Sequence, residues 1–365
     1  MSDAVAFAER ALVAHAAMEA AFRRSDGLYR RDGWLRAPWA AAHLWPFARA
    51  LVSTLDVAGL GAVATGVWAA VDRSLLALAR YADPCGAYAS DPPRRVAPDV
   101  YYDDNAWVGL ALVQLERMRP GSGWLARAAE LSAFAAGGWD LRADAPRPGG
   151  VFWLLQGRGL GRRNHDRNTV STAPNAALAL HLRELGARPP APAGVSADQM
   201  YAWVNGTFDE ARSGEGLFWD KIRGDGSLDR TIWSYNQGNV VALNVLLARG
   251  AAGAERRVYV GRAEAIARRA LERWQGRWES QPPAFNAILF RNLLMLHQLT
   301  IDANLRAAVV SELRGYAGLT WARWRDRRSL FRFPGNRAPT LLSQSAAVQI
   351  LALAGWEPES YALLA

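Results

Sequence analysis

Ser234-Tyr235-Asn236-Gln237-Gly238-Asn239-Val240-Val241-Ala242-Leu243-Asn244-Val245-Leu246-Leu247 begins polar and then runs apolar on nearly every side. A helix apolar all round is buried, whereas one with a charged face is peripheral. The next periodic stretch, Arg256-Arg257-Val258-Tyr259-Val260-Gly261-Arg262-Ala263-Glu264, has such a face. The same contrast recurs along the chain: Asn175-Ala176-Ala177-Leu178-Ala179-Leu180 and Ser345-Ala346-Ala347-Val348-Gln349-Ile350-Leu351-Ala352-Leu353 are small and apolar, and their neighbours are charged. Helical periodicity predicts about a dozen helices, near 3–23, 41–56, 60–81, 104–118, 123–138, 169–185, 196–212, 234–250, 256–275, 284–300, 302–317 and 341–355. Six buried helices alternating with six peripheral ones predict an all-α fold, an (α/α)6 barrel or six-hairpin toroid. No linker divides the chain, so residues 1–365 are expected to form one domain.

The connections are unequal. Turns from a buried to a peripheral helix are short, as at Asp56-Val57-Ala58-Gly59-Leu60 and Arg119-Pro120-Gly121-Ser122-Gly123. Those leading into buried helices are often long, at 82–103, 139–168, 213–233 and 318–340, and long ordered loops are usually functional. Gly216 to Arg223, an Asp225-Gly226 turn and Ser227 to Trp233 read as a β-hairpin. Gly150-Val151-Phe152-Trp153-Leu154-Leu155-Gln156 with its following glycines is a weaker case. A functional site is therefore expected where the buried helices begin.

The chain of 365 residues is 51% hydrophobic, enough for a large core. Its net charge is +9, but Lys221 is the only lysine and the other 42 basic residues are arginine. They are scattered, with short runs such as Arg323-Trp324-Arg325-Asp326-Arg327-Arg328, so a nucleic-acid partner is not expected. Cys85 stands alone, which rules out an internal disulfide. His15, His43, His165, His181 and His297 have no ligand-like spacing, so neither metal nor other cofactor is expected. No apolar run reaches the roughly 18 to 20 residues of a membrane span. Residues 1–24 read as an ordinary amphipathic helix rather than a signal peptide, which implies a cytoplasmic location.

Tyr101-Tyr102-Asp103-Asp104-Asn105-Ala106-Trp107 opens the fourth helix. One aspartate can be an N-cap; capping explains neither the second nor the surrounding rings. Two close carboxylates push their pKa values apart, so one donates a proton while the other stays ionised. Glycoside hydrolysis needs such a pair, and aromatic rings stack on pyranose faces. Sixteen tryptophans include Trp153, Trp219, Trp233, Trp321 and Trp324 in polar or glycine-rich segments. Asn164 to Asn175, opening the sixth helix, and Trp233 to Asn239, opening the eighth, carry amides and hydroxyls suited to a sugar, or to capping and loop hydrogen bonds. His43-Leu44-Trp45-Pro46 is placed to add a ring to the same mouth.

These residues resemble the α-1,6-mannanases of glycoside hydrolase family 76 over most of the chain. The likeness rests on Tyr102-Asp103-Asp104-Asn105-Ala106-Trp107, on Gly149-Gly150-Val151-Phe152-Trp153 with Asn168 and Asn175, and on Ser234-Tyr235-Asn236-Gln237-Gly238. Ala284-Phe285-Asn286-Ala287-Ile288-Leu289-Phe290-Arg291 resembles a weaker family motif, but Asn286 and Ala287 replace its usual lysine and glycine. The resemblance implies a cleft for α-1,6-linked mannose chains and a retaining mechanism. It makes Asp103 the nucleophile and Asp104 the general acid/base. Trp45, Tyr102, Asn105, Trp107, Trp153, Asn168, Asn175, Trp219, Tyr235, Asn236 and Gln237 are the expected substrate-binding residues. Family members that degrade mannan are usually exported, and the N-terminus departs from that. Another glycan-processing enzyme of the same fold, a transglycosidase or sugar epimerase among them, and a catalytically silent glycan-binding protein remain alternatives.

Overall fold

Every residue from Ser234 to Ala248 is buried, over four turns of one helix. A helix without a wet face needs partners on all sides, and the computed structural model supplies them as two concentric layers. It describes residues 3–31, 40–93, 97–187, 194–209 and 216–365. The inner layer is α2 (Leu44–Ala58), α4 (Tyr102–Met118), α6 (Thr169–Glu184), α8 (Ser234–Gly250), α10 (Pro283–His297) and α12 (Leu341–Gly355). Each packs on the next, and α12 packs on α2, which closes the ring. The outer layer is α1 (Asp3–Phe22), α3 (Val67–Leu78), α5 (Leu125–Ala136), α7 (Ala197–Phe208), α9 (Gly253–Trp274) and α11 (Ala303–Arg323). The expected (α/α)6 barrel is thus present. Among the described residues, no helix is long and apolar enough to cross a membrane.

Several details differ from the sequence reading. Helix α11 continues to Arg323, so Trp321 is helical rather than in a loop. Gly315 and Gly318 do not end it, because helical φ suits glycine and the flanking Leu313, Tyr316, Ala317 and Thr320 are buried. The segment expected at 60–81 splits around α3 into short 3-10 turns at Gly61–Ala64 and Ala79–Tyr81. Residues 210–212, expected in the seventh helix, lie outside the described residues.

The hairpin around Asp225-Gly226 forms as β2 (Lys221–Ile222) and β3 (Leu228–Asp229), with Gly226 at φ +87°. A third strand, β1 (Arg167–Asn168), pairs antiparallel with β2, and Asn168 faces Lys221. The stretch at 150–156 is not a hairpin. It makes single bridges to three separate segments: Val151 to Trp139, Phe152 to Arg167 and Leu154 to Tyr101. Arg167 is buried and donates to the backbone oxygens of Pro146, Arg147 and Gly149, which pins this loop over the inner ring.

Each end of the ring carries a cluster of buried polar groups. Away from the long loops, Asp56 of α2 accepts from Gln114 of α4 (2.8 Å), Arg291 of α10 (2.7 Å) and Gln349 of α12 (2.7 Å). Gly238 sets the spacing of α8 against α10: a Cβ there meets the Leu289 Cα at 2.7 Å. Gly238→Ala is therefore expected to push two backbones apart and cost about 1–3 kcal/mol in denaturant unfolding. An unchanged midpoint contradicts this packing.

Candidate active site

The first turns of α2, α4, α6, α8 and α10 and the loops feeding them line an open cavity of about 490 Å³. Tyr101 caps α4, so Asp103 and Asp104 are its second and third residues, in its first turn. Both line the cavity. Six rings surround them: Trp45 of α2, Tyr101, Trp107 of α4, Trp153 of the 137–166 loop, Tyr235 of α8 and Phe285 of α10. Tyr235 and Phe285 stack at 3.9 Å between centroids, and Trp45 lies 6.1 Å from Phe285.

The two carboxyls have different surroundings. The Trp153 indole donates to Asp103 Oδ2 at 3.2 Å, and Asp103 Oδ1 is buried without a partner. Burial pushes the Asp103 carboxyl up to about 7; the backbone N–H groups of the first helical turn and the Trp153 indole oppose that rise, and nearby Asp220 adds to it. Asp104 is raised well above the usual carboxylate range by burial, then by the charges of Asp103 and Asp91, and among the described residues no donor holds it down. The N–H donors favour ionisation at Asp103, whereas burial and the neighbouring carboxylates favour the proton on Asp104.

Asp220, which the sequence reading did not single out, is the third acid of the cavity. It is buried, accepts from Asn236 Nδ2 at 3.0 Å and from the Tyr235 hydroxyl at 3.5 Å, and is raised mainly by burial. Its signal was in the hairpin alternation: Phe218, Asp220 and Ile222 share the inward face, and an acid between two apolar residues there needs a reason. Lys221 beside it pairs with Asp166 at 3.0 Å and lies 5.7 Å from the centre of the Trp153 ring. Asn168 lines the same wall and caps α6, its side chain and that of Ser171 forming a capping box. On the opposite side His43 lines the cavity with Nδ1 2.9 Å from Asp91.

Of the expected binding residues, Trp45, Trp107, Trp153, Asn168 and Tyr235 line the cavity. Asn236 acts behind it, through Asp220. The others are spent on structure. Tyr102 turns outward to stack on Phe134 at 4.7 Å. Asn105 exchanges hydrogen bonds with the Tyr88 backbone, and Asn175 donates to the oxygens of Tyr102 and Ser171. Gln237 clamps the Phe218 backbone in both directions. Trp219 lies outside the lining, its ring covered by Arg230 at 4.9 Å. Asn286, at the altered motif, also faces away: it accepts from Ser234 Oγ and donates to the Trp278 oxygen.

A family model described as "Glycosyl hydrolase family 76" matches residues 12–311. The chain belongs to this family of glycoside hydrolases. Solved structures of similar fold include a family 76 mannosidase from Bacteroides thetaiotaomicron, with TM-score 0.79, 19% identity and coverage of 97% of this chain and 99% of that one. An inactive variant of an α-1,6-mannanase of a Salegentibacter species, in complex with α-1,6-mannotetrose, gives TM-score 0.75 at 19% identity over 96% and 98% of the two chains. A D-mannose isomerase shares the fold more distantly, at TM-score 0.66 and 13% identity, with 96% and 99% covered. No match is found among curated proteins.

Burial of the acids has a thermodynamic signature. A carboxyl raised in the folded state binds its proton more tightly there than in the unfolded chain. Stability is then fully present below the unfolded value, near 4, and is lost as pH rises through the folded one. Asp104→Asn removes this penalty. It is expected to raise Tm at pH 8 and to have little effect near pH 4. Calorimetry showing equal or lower stability of the variant at pH 8 refutes the assignment.

Proposed function

We propose that this family 76 enzyme hydrolyses α-1,6-linked mannosides with retention of configuration, through Asp103 as nucleophile and Asp104 as general acid/base. The observation that carries the reading is the unequal environment of the two carboxyls. Asp103 has the indole and helix amides to stabilise its charge; among the described residues Asp104 has none and holds its proton higher.

In the first step an Asp103 oxygen attacks the anomeric carbon, the glycosidic C–O bond breaks, and the Asp104 proton passes to the departing oxygen. In the second, Asp104 takes a proton from water, whose oxygen attacks the same carbon and releases Asp103. The rings of Trp45, Trp107, Trp153, Tyr235 and Phe285 supply stacking surfaces, while Asn168 and Asp220 offer polar atoms to sugar hydroxyls. The solved α-1,6-mannotetrose complex of the related mannanase supports the choice of substrate.

Incubation with linear α-1,6-mannotetraose is expected to give shorter mannosides from the wild type. Asp103→Asn and Asp104→Asn are each expected to lose about 10²–10⁴-fold or more in rate with the fold intact. Full activity in either variant rejects the mechanism; saturable binding without turnover by the wild type moves the reading to a glycan-binding role.

The pH dependence follows from the same pair. Activity requires Asp103 ionised and Asp104 protonated, so kcat/KM should rise through about pH 7 and fall only at higher pH. Trp153→Phe removes a donor to the Asp103 carboxylate and is expected to shift the acid limb upward. An acid limb near pH 4, or one unmoved by that substitution, contradicts the assignment.

A further inference from the structure

Arginines that look scattered along 323–337 converge in space. Arg323, Arg325, Arg332 and Arg337, with Trp324, Asp326, Ala338 and Pro339, line a pocket of about 520 Å³. Six arginines and one aspartate fall in these fifteen residues, so more than half of the net +9 of the whole chain is concentrated there. The single acid is occupied: Asp326 Oδ1 accepts from the backbone N–H groups of Arg328 and Leu330, and Oδ2 lies 3.9 Å from Arg328 Nε. Among the described residues, no carboxylate lies within ion-pairing distance of Arg323, Arg332 or Arg337, although the chain pairs arginines with acids at many other places. Six arginines gathered around a single counter-ion repel one another. A favourable helix C-terminus accounts for Arg323 and leaves Arg332 and Arg337 unexplained.

The loop that presents them is firmly held. Arg325 bridges to Phe331, Arg332 N donates to the Trp324 oxygen, and Leu330, Phe331 and Phe333 are buried. Gln344 of α12 accepts from Phe331 N and donates to the Ser329 oxygen. The guanidinium groups therefore start from a fixed frame, which lowers the ordering cost of binding. The loop runs into the first turn of α12, which packs between α2 and α10, the helices whose first turns carry Trp45 and Phe285. The arginine pocket and the cavity of the acids thus open at the same end of the barrel.

Their charges are opposite. In the active form the ionised Asp103 would repel a dianion inside the cleft, whereas guanidinium forks match phosphate oxygens two at a time. We propose that the arginine pocket binds a phosphoryl group borne by the glycan substrate, on a part of the glycan lying outside the acidic cleft. The proposal rests on the glycosidase reading for the identity of the glycan.

The full chain is titrated with inorganic phosphate, against chloride at equal ionic strength, by calorimetry and tryptophan fluorescence. Saturable phosphate binding is expected, weakened at least tenfold in the double variant Arg323→Gln/Arg337→Gln. Wild-type enzyme is expected to favour phosphorylated over neutral α-1,6-mannotetraose in kcat/KM by at least tenfold. That preference should collapse in the double variant while the neutral substrate is cleaved as before. Phosphate binding no better than chloride overturns the site. Phosphate binding with no preference for the phosphorylated sugar overturns its assignment to the substrate, as does arginine-dependent retention on vesicles of mixed phosphatidylglycerol and phosphatidylcholine in place of that preference. Failure to cleave even neutral mannotetraose is a failure of the glycosidase reading, and the phosphate titration tests the site regardless.

Discussion

The constraint behind this molecule is that six of its helices have no face that tolerates water. Helices such as α8 and α12 bury nearly every side chain, and only a closed ring inside a second layer satisfies all of them at once. The apolar walls leave polar side chains little place except the ends. One end is used for closure: Asp56 collects donors from three neighbouring helices, and a buried ion pair with unsatisfied partners is costly to break. The other end is free for chemistry, and the long loops are found there.

That division explains the unusual state of the acids. The first turn of α4 sits at the polar end but still deep in the ring, so its carboxyls lose water without gaining a cationic partner. Lys221 is nearby but committed to Asp166. What separates Asp103 from Asp104 is a small set of N–H donors: backbone groups of the first helical turn and one indole brought in by a loop that Arg167 fastens to the barrel. A difference in proton affinity between adjacent residues thus depends on contacts made by residues fifty or more positions away.

Much of this was legible in the chain. Alternation of all-round apolar helices with one-faced helices gave the barrel, and the Asp-Asp pair among rings marked the mouth. The amides were harder. Asn105 and Gln237 lie in the first turns of their helices, yet helical rotation turns them toward loop backbones that need donors and acceptors, and Asn175, two turns into α6, donates to the backbone of its own helix and of α4. Asp220 was missed because its place depends on β2 pairing with β1 from a distant loop. The arginines of 323–337 read as a local run because nothing in their spacing shows that Arg332 and Arg337 fold back beside Arg323.

The central claim is that two adjacent aspartates act in sequence on one anomeric carbon. Following the first-formed product anomer by ¹H NMR during cleavage of an α-1,6-mannooligosaccharide tests it most directly. A double displacement through Asp103 releases the α-anomer first, with the β-anomer appearing only by mutarotation. Initial release of the β-anomer would mean a single displacement by water and contradict the account.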